Sequence, residues 1–141
     1  MYTSEEIVEK WLLSFASDVP EQIIKNYVTK SCNYLWHIFG YKKAPYFEGV
    51  EARKALDSLS SEEQCMIFHS GYSVNDKNQI DDLSLCGKLS SFQMDELQEK
   101  QEFSITDIYL VERNFQWAYV VTHHSNCGDS SCGPYFCYCT K

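Results

Sequence analysis

The chain has 141 residues, 44% of them hydrophobic and 15% aromatic, and a formal net charge of −8. That length and apolar content suit one packed domain and exclude disorder. An acidic chain with no basic stripe is excluded as a nucleic-acid binder, because neutralising phosphates needs clustered Lys and Arg.

The N-terminal MYTSEEIVEK has neither a basic n-region nor an apolar h-region, and no apolar run reaches about 18 residues. A cytoplasmic protein off the membrane, with reduced thiols, is therefore expected. Thr3-Ser4-Glu5-Glu6 reads as a capping box, with Thr3 as N-cap and Glu6 at N3. Ile7, Val8, Trp11, Leu12 and Phe15 follow at helical spacing. Asp18-Val19-Pro20-Glu21 opens a second helix, with Pro tolerated in the first turn. Ile23, Ile24, Tyr27 and Val28 are its apolar face.

Asn33-Tyr34-Leu35-Trp36-His37-Ile38-Phe39 fits a short helix or a buried strand equally. Trp36 and His37 read as core residues there. Residues 49–59 read as a helix, with Ala52, Ala55, Leu56 and Leu59 on one side. Gln64 to His69 is a short strand that His69 ends, and solvation accounts for that histidine as well as any role does. Residues 73–90 are polar and mostly irregular, with a weak strand near Leu83–Cys86. Phe92 to Lys100 is a short helix starting from Ser91. Between Asp76 and Asp107 stand eight acids and three bases, so −5 of the −8 lies there.

Asp107–Glu112 and Trp117–His123 are β-branched and aromatic, and Arg113–Gln116 joins them at hairpin length. Trp117, Tyr119, Val121 and His123 share one face; Ala118, Val120, Thr122 and His124 share the other. The expected fold is α+β, with N-terminal helices packed on a late antiparallel sheet. The hairpin should lie at the centre of that sheet with Trp117 buried. The whole of 1–141 reads as a single globular domain with a Cys-rich C-terminal tail over 123–141.

That tail reads HHSNCGDSSCGPYFCYCTK and holds four of the seven cysteines. Gly133-Pro134 predicts a turn that brings Tyr135–Cys139 back along the hairpin strand. His123-x3-Cys127, Cys127-x4-Cys132 and Cys132-x4-Cys137 fall within known zinc-ligand spacings. The candidate metal ligands are Cys127, Cys132, His123 and Cys137, and zinc is the candidate cofactor. Reduced cysteines packing as small hydrophobes is the competing account. Disulfide pairing is a third. Cysteine–histidine catalysis, with Asp129 orienting, is a remote option. There is no C-x-x-C, Walker motif, G-x-S-x-G or H-E-x-x-H. No catalytic residue is assigned.

Three separated pieces carry a resemblance. They are Tyr34-Leu35-Trp36-His37-Ile38-Phe39, then Asp107–Val111 running into Phe115–His123, then Gly133-Pro134-Tyr135-Phe136. Their order and spacing are similar to a family of short bacterial proteins, domain of unknown function 4275. The family pattern reads Trp-Thr-x-Val-x-Thr-His-Glu before Gly-Pro-Tyr-Phe. Here Ala118 replaces the threonine after the tryptophan and His124 replaces the glutamate, which weakens an acid/base reading. The resemblance implies a bacterial cytoplasmic protein and a shared polar binding patch at Thr122, His123 and Tyr135. It implies no activity.

The expected function is a non-enzymatic protein-binding domain of the immunity or anti-defence kind. Its acidity favours a basic partner protein, and many tyrosines suit an interface. The alternative is a zinc-binding module or small zinc enzyme built on the tail. The oligomeric state is left open.

Overall fold

The first helix, α1 (Ser4–Phe15), starts where its cap predicts. The Glu6 N–H donates to the Thr3 hydroxyl at 3.2 Å, and the Thr3 N–H donates to Glu6 Oε1 at 3.1 Å. Both bonds satisfy donors that a helix start otherwise leaves unpaired. Helix α2 (Glu21–Tyr27) follows Pro20, whose carbonyl accepts from the N–H of Ile23 and of Ile24. The structure is a computed structural model and describes residues 2–27, 47–71, 79–99, 106–121 and 135–139. The Asn33–Phe39 segment lies outside them.

The chain continues through β1 (Phe47–Glu48), α3 (Val50–Ser58), β2 (Gln64–Gly71), β3 (Gln79–Gly87) and α4 (Ser91–Glu99). Then come β4 (Thr106–Glu112), β5 (Trp117–Val121) and β6 (Tyr135–Cys139). Among the described residues, six strands form one sheet in the order β1-β6-β5-β4-β2-β3. Every neighbouring pair is antiparallel. The hairpin β4–β5 occupies the centre as expected, and Trp117 is 2% exposed.

The α+β class holds, and the helices cover both faces of the sheet. Tyr109, Val111, Ala118 and Val120 pack with Met66, Phe68 and the α1 residues Ile7, Trp11 and Phe15. Ile108, Leu110, Trp117, Tyr119 and Val121 pack with Ala52 and Leu56 of α3 and Met94 of α4. An antiparallel sheet wet on one side alternates polar and apolar residues. Trp117-Ala118-Tyr119-Val120-Val121 has no polar alternation, and every residue of β5 is buried. The first core is strongly aromatic. Phe68 stacks on Tyr109 at 4.9 Å, and Trp11 meets Tyr109 edge-on at 5.4 Å. Each such pair adds about 0.5–1.5 kcal/mol beyond its buried area.

The central turn is built by Glu112. Its Oε1 accepts from the N–H of Asn114 at 2.9 Å and of Gln116 at 3.1 Å. Phe115 sits at φ 58, a left-handed conformation costing a non-glycine residue about 1 kcal/mol. Its buried ring contacts Tyr2 and Phe15, which offsets that cost.

Polar contacts join α3 to α4. Arg53 Nη1 donates to Asp95 Oδ2 at 2.6 Å. Asp57 accepts from the Ser91 N–H at 2.8 Å and the Ser91 hydroxyl at 2.6 Å, which caps α4. Two strand expectations are revised. β2 runs past His69 to Gly71, and the weak strand near Leu83–Cys86 falls in the second half of a nine-residue strand.

Candidate functional site

Between α1 and the outer strands lies a cleft of about 470 Å³, lined by Tyr2, Glu6, Met66, Leu83, Leu85 and Arg113. The capping box fixes Glu6 in this lining. Its carboxyl is held below the ordinary 4.5, chiefly by the Thr3 backbone bond and then by the Thr3 side chain. Tyr2 carries the Lys10 ammonium over its ring at 5.1 Å. On β3, Leu83 packs on the α1 core and Leu85 lies opposite Met66. Leu85 is nonetheless 63% exposed.

Among the described residues, the edge of β3 is unpaired along its second half. The Lys88 N–H donates to the Glu63 carbonyl at 3.0 Å. Hydrogen-bonded pairs alternate along an antiparallel ladder, so Cys65–Cys86 is bonded too. Met66–Leu85 and Gln64–Gly87 are the intervening pairs. The N–H and C=O of Leu85 and of Gly87 therefore face away from β2. No strand lies beyond β3 among the described residues. Gly87 is exposed, and a Cβ built there meets nothing within 4 Å. Irregular pairing between Ile67 and His69 disturbs only the first half of the strand.

Acids flank this open stretch. Asp81 and Asp82 precede it on β3. Beyond Gly87, Glu62, Glu63 and Glu112 line a polar notch with Ser60, Gln64, Arg113 and Asn114. Lys88 is engaged elsewhere, donating to the Leu56 carbonyl at 3.0 Å.

On the opposite face of the same strands, Cys65 and Cys86 stand side by side as free thiols. Burial, then neighbouring Cys86, Glu112 and Glu63, push the Cys65 thiol up to about 12. Burial also raises Cys86. A thiol kept protonated is a poor nucleophile and a poor metal ligand. No group of three or more His, Cys, Asp or Glu among the described residues could hold a metal ion.

The sequence-derived site divides in two. Tyr135 stands opposite Val121, the residue before Thr122, and Cys137 stands opposite Tyr119. The return strand after Gly133-Pro134 is therefore present and pairs with β5 as expected. Thr122, His123, Cys127 and Cys132 lie outside the described residues, as does the turn itself.

Sequence reading missed the cleft and the open edge. Glu6 was legible as a cap and Arg113 as a turn residue, but their approach to Leu85 joins positions far apart in the chain. The alternation of Leu83 and Leu85 with Ser84 and Cys86 was the available signal for β3.

The family model described as Domain of unknown function (DUF4275) matches residues 4–136. No curated protein matches the chain, and no solved structure matches it.

Proposed function

The chain belongs to the DUF4275 family, a domain of unknown function, and we propose that it is a non-enzymatic protein-binding domain for a basic partner protein. The observation that carries this reading is the acidic, partly apolar surface around β3. Leu85 is the exposed apolar centre, beside a cleft lined by Tyr2 and Met66. Glu6 lines the same cleft, and Glu62 and Glu63 line the notch beyond Gly87. Apolar anchors ringed by charge suit an interface, with charge setting partner choice and encounter rate. An immunity or anti-defence role is the form of this function we favour, since a small acidic domain suits the covering of a basic surface.

The test is site-specific photo-crosslinking. A photoreactive residue at position 85 should join one basic protein, and the yield should fall as salt rises. The same probe at exposed Lys54, on α3, should not. Equal yields from both positions would contradict the reading.

A second reading, a zinc-binding tail, rests on the β5–β6 pairing. That pairing joins the ends of residues 122–134, which contain His123, Cys127 and Cys132, with Cys137 two residues beyond Tyr135. Thiolate and imidazole donors of this kind suit tetrahedral zinc. Metal analysis after dialysis tests it. One zinc per chain, lost in Cys127→Ser and Cys132→Ser, supports it, and a metal-free sample contradicts it.

A further inference from the structure

We propose that β3 accepts an extended, basic segment of the partner as an added strand, bonded along Leu85 to Gly87. This rests on the protein-binding reading above and specifies how the partner is held.

The backbone geometry comes first. Leu85 and Gly87 each present one N–H and one C=O away from β2, so a facing strand can form four main-chain bonds there. Both residues are exposed, and no strand pairs with this side of β3 among the described residues. Edge strands are commonly blunted by bulges or charges. Here the bulge and the Asp pair sit in the first half of β3 and leave the second half regular.

Side-chain chemistry then selects the occupant. A residue paired with Leu85 projects onto the cleft face, over Leu85, Met66 and Tyr2, so an apolar side chain fits there. Glu6 lines that cleft, and Glu62 and Glu63 line the notch beyond Gly87, against Lys88 and Arg113. Lys88 is already bonded to the Leu56 carbonyl. The surplus of acids favours lysine or arginine on either side of the apolar residue. A second copy of this chain is disfavoured as occupant, because each copy carries a net −8.

The test uses the full chain and a blocked synthetic peptide that alternates lysine and valine around one central leucine. Two control peptides are used. One has glutamate for lysine, and the other is N-methylated at the amides that would pair. The lysine peptide should bind at about 100 µM or better, and it should slow amide exchange at Leu85 and Gly87 about tenfold. The glutamate peptide should not bind, and N-methylation should weaken binding about tenfold. Gly87→Pro removes an outward N–H and leaves the β2 ladder intact. That variant should keep its melting temperature within a few degrees and lose about fivefold in affinity.

Equal binding of the N-methylated peptide would overturn strand addition and leave the protein-binding reading standing. Failure of every peptide at about 1 mM would also overturn it. So would a sedimentation result showing a dimer joined through β3. Crosslinking at position 85 tests the broader reading independently of all three outcomes.

Discussion

Leu85 faces Met66 across the β2–β3 ladder at a pair whose main-chain groups are not used between those strands. One side chain is buried at 2% exposure and the other is 63% exposed. The same ladder position thus anchors the core on one strand and, on the other, leaves an apolar side chain exposed and two backbone groups unpaired by any described strand.

Trp117 should be the costliest single truncation in the sheet. It is 2% exposed, and its indole N–H has no hydrogen-bond partner among the described residues. Trp117→Ala should lose about 3–5 kcal/mol in urea unfolding, as large-to-small core changes do. Trp117→Phe keeps most of the packing and removes an unsatisfied donor, so about 1.5 kcal/mol or less is expected. Equal losses for the two variants would show that ring packing is not what Trp117 contributes.

Glu112 should matter through the turn it organises. Its carboxylate accepts two backbone N–H groups at 2.9 and 3.1 Å and is 6% exposed. Glu112→Ala removes both bonds and should cost about 1–2 kcal/mol. Glu112→Gln retains an acceptor at the same place and should cost less. Chemical denaturation of the pair decides it: indistinguishable variants would mean that the two bonds contribute nothing.

Much of this fold is legible in the sequence. In α1 the cap and the apolar period agree, and in β4–β5 two β-branched runs flank a loop of hairpin length. The return of Tyr135–Cys139 along β5 followed from a Gly-Pro turn and an apolar run that needs a surface. β3 was legible only in part, because an edge strand has one neighbour and Gln79–Asp82 carries little apolar pattern. Covering of both sheet faces was written in the unbroken apolar β5, but which helix covers which face depends on chain crossings that no local pattern encodes. The cleft was not legible at all. It brings together Tyr2 and Glu6, Met66, Leu85 and Arg113, whose neighbourhood is purely tertiary.

Acid should weaken the α3–α4 junction. Burial alone would raise the Asp57 carboxyl, but the side-chain and backbone bonds from Ser91 outweigh it and hold it below the ordinary 3.8. In that window the unfolded chain binds the proton more readily than the folded one. The contribution is therefore fully present above about 3.8 and is lost as pH falls through the lower folded value. Asp57→Asn should flatten the acid limb of a stability profile measured between about pH 5 and pH 2. An unchanged limb would remove Asp57 from the account.

Alkali should act through Cys65. Its folded thiol titrates near 12 against an ordinary 9.0. Between those values the unfolded chain releases its proton first, so stability present below pH 9 falls as the pH rises. At neutral pH, iodoacetamide should spare Cys65 in the folded protein and label it in urea. Rapid native labelling at Cys65 would show that the thiol is neither buried nor protonated as described.

Amide exchange of the free protein tests the open edge of β3 most directly. The N–H of Cys86 is turned toward β2, whereas those of Leu85 and Gly87 face outward. The account predicts slow exchange at Cys86 and exchange at Leu85 and Gly87 about a hundredfold faster, close to that of unstructured chain. Protection at Leu85 and Gly87 equal to that at Cys86 would mean that the edge is already bonded, and the proposed docking strand would have no place to bind.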